Sequence, residues 1–272
     1  MSSAQIKSTY MSIGALDVSI PPSSLVLKLA INLKSIRYYI QATSHNQIIL
    51  FGKYTLHHVK NTGDLISRLE RIVEKDESLQ LAFSKVVIGI DTAYTLMPSE
   101  GSQPQENVLV QKIEEAGLDI AFSTDDLLKY SLTKLFKNTE IVHLNSSLLK
   151  LLPEYARRET TDKLFVNVEQ DYLDIIRYSS DHQLQLMNRY PYRHENDFIY
   201  YLLLCAEDLK IDRQTVDLVL LGEVDIQSQI YALCYRYFRN LGFIQQPSNI
   251  SFTKAFDLYP KHLHFNLYNL SA

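Results

Sequence analysis

Runs of apolar residues, and the polar positions that interrupt them, mark out most elements of the chain. Leu25 to Leu33, Ser35 to Thr43 and Gln47 to Leu56 are rich in Leu, Ile and Tyr, and the polar turn Ser44-His45-Asn46 separates the last two, so they predict a meander of three antiparallel strands. Residues 1 to 24 lead into it through Pro21-Pro22-Ser23-Ser24 and are expected to be extended, with a loose start. Asn61 or Thr62 can cap a helix to about Lys75, because Leu65, Ile66, Leu69, Ile72 and Val73 recur on one helical face and would cover the meander. The continuous run K-V-V-I-G-I-D, Lys85 to Asp91, predicts a strand buried on both faces, and Ala93 to Met97 a second one before Pro98. Ser99 to Glu106 is a Gly/Ser/Pro/Gln loop, followed by a predicted helical stretch from Asn107 to Ala116 that stops at Gly117. Strand Leu118 to Phe122, a helix capped at Ser123 or Thr124 and running to Phe136, strand Glu140 to Leu144 and a helix from Ser146 to about Arg157 then predict parallel pairing.

From Lys163 the opening order returns. Leu164 to Val168, Tyr172 to Tyr178 and Gln183 to Tyr190 predict a second meander with its turn at Ser179 to His182. A helix starting at Glu195 or Asn196 should run to about Leu209, Val216 to Leu221 is a buried strand, and Gly222-Glu223 leads into a helix from about Ile226 to Leu241. Superposing the halves at an offset of 137 residues places Leu29 on Val166 and Ile31 on Val168. In the tail, Ser251 to Ala272, the alternation H-L-H-F-N-L-Y predicts a last strand. The expectation is an α/β chain with mixed sheets and two similar lobes, residues 1–158 and 159–272, the first carrying a small insertion near 94–117.

Composition narrows the function classes. An apolar fraction of 46% and a charged fraction of 21% over 272 residues are those of a globular protein able to bury a full core. A net charge of -4 gives no broad positive field for neutralising phosphates, so nucleic acid is not an expected partner. Cys205 and Cys234 lie in apolar helical segments and read as buried thiols, which suits a reducing cytoplasm. The opening M-S-S-A-Q-I-K-S-T-Y has no apolar signal core, and no apolar run of about 18 residues occurs, so neither export nor membrane insertion is expected.

The doubled meander-helix-strand-helix order resembles the actin-like ATPase superfamily of paired ribonuclease-H-like lobes. Within it, E-N-D-F-I-Y-Y-L-L-L (195 to 204), L-V-L-L-G-E-V-D (218 to 225) and A-Y-T-L-M-P-S-E (93 to 100) look like a bacterial family of actin-like-fold proteins catalogued as a domain of unknown function. A more distant similarity is to the cytoplasmic actin-like proteins of type IV pilus and type II secretion assembly, which implies that an insertion such as Tyr94 to Gly117 contacts a partner. The superfamily binds phosphate through a D-x-G turn in each lobe and adenosine through a G-G step. Here the resemblance places Ala30 and Asn32 in the first turn, Asn167 and Glu169 in the second, and Gly222 followed by Glu223 at the step. A Glu side chain blocks backbone approach and repels the anion. The chain has 8 glycines, against roughly 19 for an average composition. Asn32, Asn167, Glu169, Gly222 and Glu223 therefore read as remnants of a cleft, with no catalytic residue, cofactor or metal expected.

The remaining constellations are bland. Glu169, Asp171, Glu223 and Asp225 could hold Mg²⁺ as in ribonuclease-H-like nucleases, but Ala30 offers no matching acid, and we read them as solvated strand-end charges. His262 with His264, and His57 with His58, lack a third ligand and read as surface histidines. Asp125-Asp126 suits helix capping. The 18 tyrosines, dense around Tyr190-Pro191-Tyr192 and Tyr200-Tyr201, read first as core packing in a chain without tryptophan and second as interface. The functional expectation is a non-catalytic protein that binds another protein; the alternative is an ATPase with altered turns, and the third reading a metal-dependent nuclease.

Overall fold

In a computed structural model that describes residues 9–17, 19–99, 107–158, 161–179, 181 and 183–271, the strands gather into sheets of seven, five and three. The first half runs β1 (Thr9–Gly14), β2 (Leu25–Ile31), β3 (Ser35–Ala42), β4 (Gln47–Thr55), α1 (Thr62–Lys75), β5 (Lys85–Ile90), β6 (Tyr94–Pro98), β7 (Val108–Ile113), β8 (Leu118–Ser123), α2 (Asp126–Leu135), β9 (Thr139–His143) and α3 (Ser146–Arg157). The second runs β10 (Lys163–Val168), β11 (Tyr172–Tyr178), β12 (Leu184–Pro191), α4 (Glu195–Asp208), β13 (Asp217–Gly222), α5 (Gln229–Tyr237), β14 (Asn240–Phe243), β15 (Ser251–Phe252) and α6 (Phe265–Tyr268).

The repeat is visible in the sheet order. β4-β3-β2-β5-β9 in the large sheet and β12-β11-β10-β13-β14 in the second have the same order and the same mixture of antiparallel meander and parallel crossover. Register agrees as well: Ile31 pairs with Ile36 and Val168 with Leu173, each partner displaced by 137 residues. Both faces of β2 are covered. Leu25, Leu27, Leu29 and Ile31 meet Leu65, Leu69 and Ile72 of α1, and Ala30 faces a second cluster with Tyr39, Phe51 and Val87. Asn61 caps α1 by accepting from the Asp64 amide, as its position predicts.

Several expectations are corrected. Asn107 to Ala116 is strand β7 and a short 3-10 turn, since the β-branched run V-L-V-Q-K-I finds a partner in β8. β8 does not join the large sheet; it sits between β6 and β7 in the antiparallel three-stranded sheet. The helix expected to Leu241 ends at Tyr237, and Asn240–Phe243 forms the parallel edge strand β14. Part of the lead-in, Thr9–Gly14, pairs with β4. Most of the loop 99–106, the turn residues Ser180 and His182, and Glu159 and Thr160 between the halves lie outside the described residues.

The tail departs furthest from expectation. Only Ser251 and Phe252 form a strand, parallel to β4, and H-L-H-F-N-L-Y turns through a left-handed His264 into α6. Residues 245–271 return across the molecule as a strap. Phe256, Leu267, Tyr268 and Leu270 pack on the large sheet, whereas Phe265 packs with Leu148 of α3 and Phe165 and Leu221 of the second sheet. His262 and His264 are consequently buried, contrary to a surface reading. Tertiary burial overrides the local two-residue alternation here.

Candidate functional site between the two sheets

The ends of β2, β5, β10 and β13 converge between the sheets, where the sequence places its cleft remnants. At the first turn Asn32 does what a glycine-lined phosphate turn would leave undone. Its side-chain oxygen accepts the amides of Lys34 at 2.8 Å and Ser35 at 2.7 Å, while its amide group donates to Asp91 at 2.8 Å. The Lys34 and Ser35 N–H groups are thus occupied from within. At the second turn the Glu169 amide donates to the Tyr172 carbonyl, and Tyr192 Oη donates to the Glu169 carbonyl. At the third, the amides of Gly222 and Glu223 donate to the carbonyls of His262 and Val168. Gly222 has φ +85°, and a Cβ there would lie 2.2 Å from the Val168 carbonyl oxygen. Its glycine serves the close approach of two strand ends.

Side chains fill the space between these turns. Arg37, on β3, is 1% exposed and donates to Glu169 Oε2 at 2.8 Å, with Glu223 at 3.6 Å and Asp91 at 3.9 Å. Asn266 of α6 donates to the other oxygen of Glu169. Lys53 pairs with Glu223, and Lys34 with Asp171. Beside this group Arg189 donates to Asp91 at 3.1 Å and to Asp174 at 2.8 Å while lying over the Tyr172 ring. Tyr172 Oη donates to Asp91 at 2.6 Å, and Asp174 also accepts from Asn145, Asn167 and Tyr94. The reading of strand-end acids as solvated is wrong for Glu169, which is 4% exposed, and for the partly buried Glu223; it holds for Asp171 and Asp225. Asp225 turns away and accepts from the Gln227 amide.

Burial pushes Glu169 up to about 7 against the pull of Arg37, with Asp91 and Glu223 acting in the same direction as burial. Burial would raise Asp91 too, but Arg189 and Arg37 hold it below the usual carboxylate range. Arg37 stays charged because Glu169, Glu223 and Asp91 outweigh its desolvation. His264, whose Nδ1 lies 3.5 Å from Arg37, is kept neutral by burial and by the neighbouring cations. Among the described residues no group of three or more His, Cys, Asp or Glu is disposed to hold a metal ion.

The network obeys the repeat. At the offset of 137, Asn32 matches Glu169, Lys34 matches Asp171, and Arg37 matches Asp174. The cross-strand partners follow: Arg37 faces Lys53 on β4 as Asp174 faces Arg189 on β12, and Asp91 follows β5 as Glu223 follows β13. Equivalent positions therefore carry a cation in one half and an acid in the other at two of these matches. Sequence reasoning missed Arg37, Lys53, Asp91, Asp174 and Arg189. The available signal was a charge interrupting each meander's central strand, I-R-Y-Y-I and L-D-I-I-R, at matching positions.

A family model described as "Protein of unknown function (DUF3822)" matches residues 22–106 and 99–241. Curated proteins give no match. Among solved structures, a Bacteroides thetaiotaomicron VPI-5482 protein with actin-like ATPase fold and unknown function is similar at a TM-score of 0.70 and 17% identity, over 85% of this chain and 94% of that one. The PilM-PilN type IV pilus biogenesis complex is similar at a TM-score of 0.57 and 8% identity, over 91% of this chain and 97% of that one. These likenesses give the fold, which is that of the actin-like ATPases.

Proposed function

The chain belongs to the DUF3822 family, and from that membership and its cleft we propose that it is a non-catalytic actin-like-fold protein that acts by binding another protein. One observation carries this reading: the Arg37 guanidinium is buried where the strand ends converge, and the acids around it are each engaged by a side chain of the chain itself. Phosphate recognition by a turn needs free backbone N–H groups. Here amides at all three turns have internal acceptors. A nucleotide would have to displace buried charge pairs, which is strongly unfavourable when a partner is left unpaired. The two thiols, Cys205 and Cys234, are free and buried, in keeping with a reducing compartment such as the cytoplasm.

The contact region we assign is the three-stranded sheet. Its inner face, with Leu96, Ile113 and Ile120, packs toward α3. Its outer face presents Thr95, Met97, Val108 and Val110 around a shallow groove. β6 and β7 are both edge strands, a geometry that suits a docking chain. That a similar structure is the PilM-PilN complex agrees with a partner-binding use of this fold. Two measurements test the proposal. Calorimetry with Mg²⁺-ATP should give no binding heat, and micromolar affinity would overturn the non-catalytic reading. A partner captured from the native host by the unmodified chain should be lost on Val110→Glu; retention by that folded variant would move the contact away from this sheet.

A further inference from the structure

On the strap-covered face of the large sheet, midway along β2, lies Lys28. Its neighbours on that face are Tyr39, over whose ring the ammonium sits at 5.4 Å, and Val87, the residue paired with Lys28 on β5. Among the described residues it has no hydrogen bond and no ion pair. Of the other lysines on this face, Lys85 is already matched with Glu140 at 2.9 Å, and Lys53, at the cleft end, with Glu223. Lys28 lines a groove of about 390 Å³ walled by the sheet, by α3 and by the strap. That volume falls at the low end of small-molecule sites, roughly 300 to 1,000 Å³.

The groove is lined by three cations, Lys28, Lys150 and Arg158, and by two acids, Glu154 and the exposed Glu115, so positive charge is in excess by one. Arg158 is engaged by Glu154 at 2.8 Å, whereas Lys150 reaches only the neutral carbonyl and hydroxyl oxygens of Ser271, at 3.3 and 3.4 Å. Gln41 and Asn46, on the opposite wall, are held in a fixed chain of side-chain hydrogen bonds ending at the Asn249 carbonyl. A half-buried ammonium with no acceptor among the described residues is incompletely compensated, and an incoming anion relieves that cost. We infer that this groove binds a small organic oxyanion, a carboxylate or a phosphate ester, through Lys28 with Lys150 at its rim. The inference is independent of any role for the cleft. Burial, with Lys85 nearby, lowers the Lys28 amine to about 8, so an anion seated there would return it toward its ordinary value and draw a proton from solution.

Calorimetric titration of the full chain with inorganic phosphate and, separately, with succinate at about pH 7 and about pH 9 tests this. At least one probe should bind, with proton uptake at the higher pH, and preference for one over the other separates phosphate from carboxylate ligands. Lys28→Met should weaken binding about tenfold or more, the scale of one charge-assisted hydrogen bond. Lys85→Met, on the same face but already paired, should leave affinity unchanged. Absence of binding by either probe at tens of millimolar, or undiminished affinity in Lys28→Met, overturns the inference. Should Lys28→Met fail to fold, the Lys28 ε-methylene resonance of the unmodified chain decides: its titration must move to higher pH under saturating probe, and an unmoved titration overturns the site.

Discussion

At the scale of single residues, Arg37 and Lys34 make a controlled comparison, because both join the first half to an acid of the second. Arg37 is buried against Glu169, and Lys34 meets Asp171 with both side chains about half exposed. Removing one member of a buried pair leaves an uncompensated charge, so Arg37→Met should lose about 3–5 kcal/mol in urea unfolding. Lys34→Ala should lose no more than about 1 kcal/mol, and equal losses would show that Arg37 is not the centre of the network. Glu169 adds a pH dependence of defined sign. Its folded value is raised from 4.5 to about 7, so between those values the native state holds a proton that the unfolded chain has released. Stability therefore falls as pH rises through that window. Asp91 is held low and acts in the opposite sense only below 3.8; the neutral buried His264 opposes Glu169 below 6.5. The comparison that isolates Glu169 is with Glu169→Gln. The unmodified chain should lose stability relative to that variant from about pH 5 to about pH 7.5, and parallel curves would show that Glu169 titrates normally.

At the scale of elements, legibility in the sequence followed how locally each segment's pattern is set. α1 and the two meanders were readable because apolar spacing, caps and turns lie within one run, as at Asn61 and Leu65 to Ile72. β7 was misread because V-L-V-Q-K-I before E-E-A-G offers both a strand and a helix end, and only the partner β8 decides between them. The cleft remnants were named from the resemblance, and their side-chain company was not read at all. The ion pairs Arg37–Glu169 and Arg189–Asp174 join residues 132 and 15 positions apart, and no local period records that. The strap was illegible for the same reason: its contacts are with Phe51, Leu148 and Leu221, distant in the chain. Its weight can be measured. Phe265→Ala should cost about 3–5 kcal/mol. Leu258→Ala, on the same strap but fully exposed, should stay within about 0.5 kcal/mol. A loss under about 1 kcal/mol for Phe265→Ala would make the strap an accessory.

At the scale of the whole molecule, side-chain ties and the strap hold the two principal sheets together. Arg37–Glu169, Lys53–Glu223, Asp91–Tyr172 and Tyr94–Asp174 all join one half to the other. Gly222 and His262 fasten the strap to the second sheet as β15 fastens it to the first. Calorimetric unfolding should accordingly be one transition, with van't Hoff and calorimetric enthalpies equal. Two resolved transitions would mean that the halves melt independently. The strap also imposes a schedule on synthesis. Tyr268, which covers Tyr39 and Phe51, is made 125 positions after His143 ends β9, the last long strand of the large sheet. At ribosomal speeds that interval is about 6 to 25 s. During it the nascent chain leaves Tyr39, Phe51 and Val87 without the cover that the strap will bring, so the emerging first half is expected to bind chaperones until the strap is made.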